Sequence, residues 1–137
     1  MSSPALPTPL PAPQSRRWPG ILLTAIPVAF LTMDGVMKFL QPEPVVKGTL
    51  ELGYAQSSLV PIGAALLAST LLYALPRTAP LGAVLLTGYL GGAVATHVRV
   101  GHPLFSHTLF PVYVALSVWG GLWCRDARVR ALLPLRK

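Results

Sequence analysis

Four long apolar runs, at residues 21–40, 59–75, 81–98 and 104–124, constrain this chain more than any other feature. A helix rises about 1.5 Å per residue and the hydrocarbon core of a bilayer is about 30 Å thick, so one span takes about 17–25 residues. All four runs qualify, the second only just. Within lipid each backbone polar group must be satisfied by its own segment, so runs of this length are expected to be helices. A barrel would show alternating segments of about 10 residues, and the sequence has none. The expected fold class is all-α, a transmembrane four-helix bundle.

Composition supports a membrane setting. Hydrophobic residues make up 53% of the 137 and charged residues 11%, against roughly 25% charged in soluble domains. The formal charge of +7 would point to nucleic acid in a soluble protein. Here the basic residues flank the apolar runs, as membrane anchoring predicts. No zinc-finger, RNA-motif or basic-zipper signature is present, so no nucleic-acid partner is expected. The lipid bilayer is the expected partner. With Cys124 alone there is neither an internal disulfide nor a CxxC redox pair.

Three regions are expected. Residues 1–17 read as a disordered, proline-rich N-terminal tail. Ser15-Arg16-Arg17 reads as a charged inner anchor rather than an export signal, because Pro19-Gly20 follows it and Asp34 and Lys38 interrupt the apolar run. Residues 18–124 form the membrane domain, and residues 125–137 a basic cytoplasmic C-terminal tail. Pro27 is placed to kink the first helix, or to lie harmlessly near its start, and Pro111 to kink the fourth. Pro61 falls where a first helical turn tolerates proline. Residues 45–54, in the longest connection, have the makings of a short interfacial helix.

Lysines and arginines set the expected orientation. Arg16, Arg17, Arg77, Arg125, Arg128, Arg130, Arg136 and Lys137 fall on one side, and Lys38, Lys47 and Arg99 on the other. Both termini are therefore expected in the cytoplasm, with Trp18, Trp119 and Trp123 as an aromatic belt at the inner interface.

Three stretches carry a family resemblance: Thr32-Met33-Asp34-Gly35-Val36-Met37-Lys38, then Pro76-Arg77-Thr78-Ala79 with the run from Gly82 through Thr87-Gly88-Tyr89-Leu90-Gly91-Gly92 to Ala93, then Thr96-His97-Val98-Arg99. In this order and spacing, over roughly residues 24–124, the chain resembles the DoxX-like family of small four-helix bacterial membrane proteins. The resemblance implies a helical bundle in the bacterial cytoplasmic (inner) membrane. Named relatives include subunits associated with quinol oxidation and with thiosulfate:quinone oxidoreduction. The family offers no agreed catalytic residue set to carry over.

Chemistry-bearing residues gather at one end. Asp34 and Lys38 sit at i and i+4, on one face of the first helix. Asp34 lies roughly 9 Å inside the outer end, a depth at which ionisable groups usually face the protein interior or a wet cavity. Lys38 is long enough to snorkel to the surface. The first and third spans run in the same direction, so Asp34, Lys38, Thr96, His97 and Arg99 are expected to form an outer polar cluster. His107, at the start of the fourth helix, is expected at the same level, with His102 in the loop between. Such a set suits a quinone head, whose carbonyls accept hydrogen bonds and whose reduction needs protons that an Asp–His pair can relay. It equally suits a structural network. No intrinsic cofactor is expected, quinone is the candidate ligand, and no metal set matches a standard ligand motif. Gly88 and Gly92 form a GxxxG step read as a helix-packing seam, within the monomer or between copies. Tyr89 needs a hydroxyl partner, with Thr87 and Ser117 as candidates.

The favoured function is a non-autonomous subunit or accessory of a quinone-linked redox complex, depending on a redox partner protein and not an enzyme as an isolated chain. The alternatives are a non-catalytic assembly or binding protein, and a small-solute or proton carrier, which would require a homo-oligomer.

Overall fold

The computed structural model describes Pro4 and residues 17–133, so the expectation for most of the N-terminal tail lies outside the described residues. The described residues form six α-helices in order: α1 Arg17–Leu40, α2 Glu43–Glu51, α3 Leu59–Ala74, α4 Ala79–Val100, α5 Phe110–Arg125 and α6 Ala127–Leu132. A short 3-10 turn, Gln56–Ser58, precedes α3, and a π turn, Leu104–Thr108, precedes α5.

The bundle is a square. α1 packs on α3 and α5, and α4 packs on the same two helices, so α1 and α4 stand at opposite corners. Among the described residues three segments are long and apolar enough to cross a membrane: Trp18–Leu40, Gln56–Ala74 and Ala79–Val100. The fourth expected run is not one continuous helix. Residues 104–108 wind as the π turn, and the α-helix begins only at Phe110 and spans 16 residues. Pro111 accounts for the restart. Lacking an N–H, it fits a first helical turn rather than an interior, and it occupies that turn of α5 instead of kinking a longer helix. A short helix is present in the long connection as α2, over residues 43–51 rather than the expected 45–54.

Pro27 lies inside α1, which continues through it. A proline there cannot donate to the carbonyl four residues earlier. That carbonyl belongs to Leu23, and it accepts a hydrogen bond from the Ser117 hydroxyl of α5 at 3.0 Å. The helix break is repaired by a neighbouring helix, as lipid-embedded backbone requires.

Glycines set how closely the helices approach. A Cβ on Gly63 of α3 would come within 2.9 Å of the Lys38 Cβ on α1, and one on Gly82 of α4 would run into the Tyr73 backbone of α3. The core between the helices is built from Leu31, Leu66, Tyr73, Leu86, Val118 and Leu122. Tyr73 is fully buried and its hydroxyl donates to the Val118 carbonyl at 2.7 Å. Outside the core, Ile26, Met33, Leu71, Leu81, Val84 and Leu116 are all more than half exposed. Such a continuous apolar exterior is what lipid contact requires.

Candidate functional site

The two ends of the bundle differ in chemistry. At the end of α1 and α4 that carries Lys38 and His97, the Lys38 ammonium donates to the Asp34 carboxylate at 2.6 Å. The i, i+4 spacing on α1 makes this pairing. Lys38 does not reach outward to the surface. It folds back one turn, and its side chain is only 14% exposed, against 39% for Asp34.

Across the bundle, Thr96 of α4 donates its hydroxyl proton to the Gly92 carbonyl at 2.9 Å, as mid-helix threonines commonly do. Its oxygen is then the acceptor for the Tyr54 hydroxyl, 2.7 Å away. His97 and His102 face each other with their Nδ1 atoms 2.7 Å apart. One nitrogen must donate and the other accept, so the two rings carry complementary protonation at this edge. The His107 ring lies 5.1 Å from that of His102 and 6.2 Å from that of His97, centroid to centroid. The turn 101–108 thus gathers three imidazoles that are spread over eleven residues of sequence. Among the described residues, no group of His, Cys, Asp and Glu is arranged to hold a metal ion.

These groups surround a cavity of about 840 Å³, within the range typical of small-molecule sites. Asp34, Lys38, Thr96 and His97 all line it, together with His102 and His107. Arg99 does not. It points over the connection after α2, and its guanidinium donates to the Leu52 carbonyl at 2.6 Å. The deeper walls are apolar, with Phe30, Leu31, Leu90 and Val114 among them. α2 forms the wall at the polar end through Val45, Gly48 and Thr49.

Gly88 and Gly92, read as a packing seam within the monomer or between copies, seat no helix of this chain among the described residues. A Cβ on either meets nothing within 4 Å, and both line the cavity. Their missing side chains leave space rather than seat a helix of this chain. Tyr89 lines the same space. Neither expected partner serves it: the Thr87 hydroxyl donates to the Ala83 carbonyl and accepts from the Trp119 indole, while Ser117 serves Leu23. Among the described residues nothing pairs with the Tyr89 hydroxyl, which leaves it available to a ligand. The sequence signalled Tyr89 only as a hydroxyl needing a partner. Nothing local signalled Tyr54, whose partner is 42 residues away.

The opposite end is an array of arginines on helix carbonyls. Arg125 donates to the Tyr73 carbonyl at the end of α3 at 2.7 Å and lies over the Tyr73 ring. Arg130 donates to the Trp123 and Cys124 carbonyls near the end of α5. Cationic donors at helix C-termini satisfy the last carbonyls and oppose the helix dipole. The described part of the basic tail is therefore partly helical. Asp126 caps α6 by accepting from the Arg128 amide at 2.9 Å. Hydrogen bonds from the Arg128 side chain hold the Asp126 carboxyl below its ordinary value.

Apolar spans around a mostly apolar cavity with polar groups at one end define a helical-bundle membrane protein. A family model places it further: the chain belongs to the DoxX-like family, which matches residues 22–121. No curated protein and no solved structure matches it.

Proposed function

We propose that the protein is a membrane subunit that binds a quinone-type amphiphile in the cavity between α1, α2, α4 and α5, and that it serves a quinone-linked redox complex. The observation carrying this reading is one cavity that brings polar groups, including the Tyr89 hydroxyl, which has no partner among the described residues, together with apolar walls. The Tyr89 hydroxyl and the histidines are the donors a quinone carbonyl needs, and Asp34 and His97, both on the cavity wall, are the proton-exchanging groups of this reading. The gap over Gly88 and Gly92 gives a prenyl tail a slot beside α4. A bound quinone supplies two-electron chemistry coupled to protons, and the electrons come from a partner protein. This chain's residues bind and orient the head, exclude bulk water, and move protons to it. The charge distribution supports a cytoplasmic-membrane setting with the arginine end inside.

The test is equilibrium binding of ubiquinone and menaquinone to the protein in nanodiscs. The reading requires saturable binding that weakens at least several-fold in Asp34→Asn and His97→Ala variants that remain folded. Absence of saturable binding by intact protein would remove it.

A further inference from the structure

We infer that α2 and its flanking turns (residues 41–54) are a gate over the polar end of the cavity, fastened to α4 by Arg99 and Tyr54. α2 covers the polar end of the cavity through Val45, Gly48, Thr49 and Leu52, yet none of its residues is buried. Its closest packing is against the 3-10 turn that follows it rather than against a helix of the bundle. An element with so little buried surface belongs to the low-stability end of local opening.

The chain enters and leaves α2 through the two left-handed positions of this segment, Gln41 at φ 52° and Gly53 at φ 86°. Left-handed backbone is costly for a residue with a side chain. Gln41 is the one such non-glycine among the described residues, which makes it a natural pivot. Hinges are commonly a few element-terminal residues that absorb a large φ/ψ change.

Two side-chain contacts fasten the segment to α4. Arg99 donates to the Leu52 carbonyl at 2.6 Å, and Tyr54 bonds to Thr96 at 2.7 Å. Both anchors lie in the last two turns of α4, so the latch sits beside the cavity mouth. Gly53 has a second reason to be glycine: a Cβ there would lie 3.0 Å from the Arg99 guanidinium and press on the latch. Releasing both contacts leaves the segment tied only at the 3-10 turn, where Gln56 donates to the Gln41 side chain at 3.1 Å beside the pivot, and leaves the packing of α1, α3, α4 and α5 in place.

The test needs no quinone, so its failure is distinct from failure of the binding reading. Ala93, on the cavity wall, is replaced by cysteine in a Cys124→Ser background, and the protein is placed in nanodiscs. The rate of labelling by a charged, water-soluble maleimide is then measured. The gate predicts slow labelling in this parent. It predicts labelling faster by roughly ten-fold when Arg99→Ala or Tyr54→Phe removes one latch bond. Tyr54→Phe keeps the ring and serves if Arg99→Ala does not fold. Two results would overturn the gate: Ala93→Cys labelling as fast in the parent as an exposed Glu43→Cys reference, or parental rates in folded latch variants.

Discussion

Lys38 is more enclosed than the Asp34 carboxylate it holds, with 14% of its side chain exposed against 39%. The two are 2.6 Å apart within one turn of α1. The pair is therefore asymmetric. Removing the carboxylate strands a confined ammonium, whereas removing the ammonium leaves a carboxylate with access to water. Breaking a fully buried pair costs about 3–5 kcal/mol, and partial exposure lowers that figure.

Asp34→Asn is expected to destabilise the bundle by about 1–2 kcal/mol. Lys38→Met should cost less, and the double variant should recover most of the Asp34→Asn loss. Reversible unfolding in mixed micelles measures all three. Additive losses in the double variant would mean that the two groups do not act as a pair.

The glycines separate into two behaviours. Gly82→Ala forces a methyl into the Tyr73 backbone, and overpacking of this kind typically costs about 1–3 kcal/mol. Gly92→Ala meets open space, so stability should change by less than about 1 kcal/mol, while the cavity narrows. Thermal unfolding of the two variants side by side checks the contrast.

Ser117 and Pro27 form a testable couple. Ser117→Ala orphans the Leu23 carbonyl, an unsatisfied group costing about 1–3 kcal/mol. In a Pro27→Ala background the helix regains its own donor for that carbonyl, and the loss should shrink markedly. A double-mutant cycle reads the coupling directly.

At the arginine end, the depressed Asp126 pKa fixes the sign of a pH effect. A carboxyl whose folded pKa is lowered contributes stability above its unfolded value, near pH 4. That contribution is lost as pH falls through the folded pKa. Hydrogen exchange in residues 127–133 should therefore gain protection, after correction for intrinsic rates, from pH 3 to pH 6. Asp126→Asn should abolish the change.

The sequence made helix-internal relationships legible. Asp34 and Lys38 are four apart, and helical spacing alone puts them in contact. Membrane spans followed from run length, except that Pro111 cut the fourth. Relationships across the bundle were opaque. Nothing in the spacing pairs Tyr54 with Thr96, or Ser117 with the carbonyl that Pro27 frees 94 residues earlier. The GxxxG step announced a close approach, but spacing cannot say which surface fills it. In this chain, Gly88 and Gly92 border the cavity. The shared level of the three histidines was legible, but the contact of their rings depends on how the turn after α4 folds back, a geometry no local pattern encodes.

Where a quinone lands is the most direct test of the cavity as its site. A photoreactive ubiquinone analogue, activated on the protein in nanodiscs and mapped by mass spectrometry, should mark residues 88–97 of α4 and residues 45–54. Excess ubiquinone should suppress both labels. Labelling confined to lipid-facing positions such as Leu81 and Val84, and unaffected by excess ubiquinone, would contradict the account.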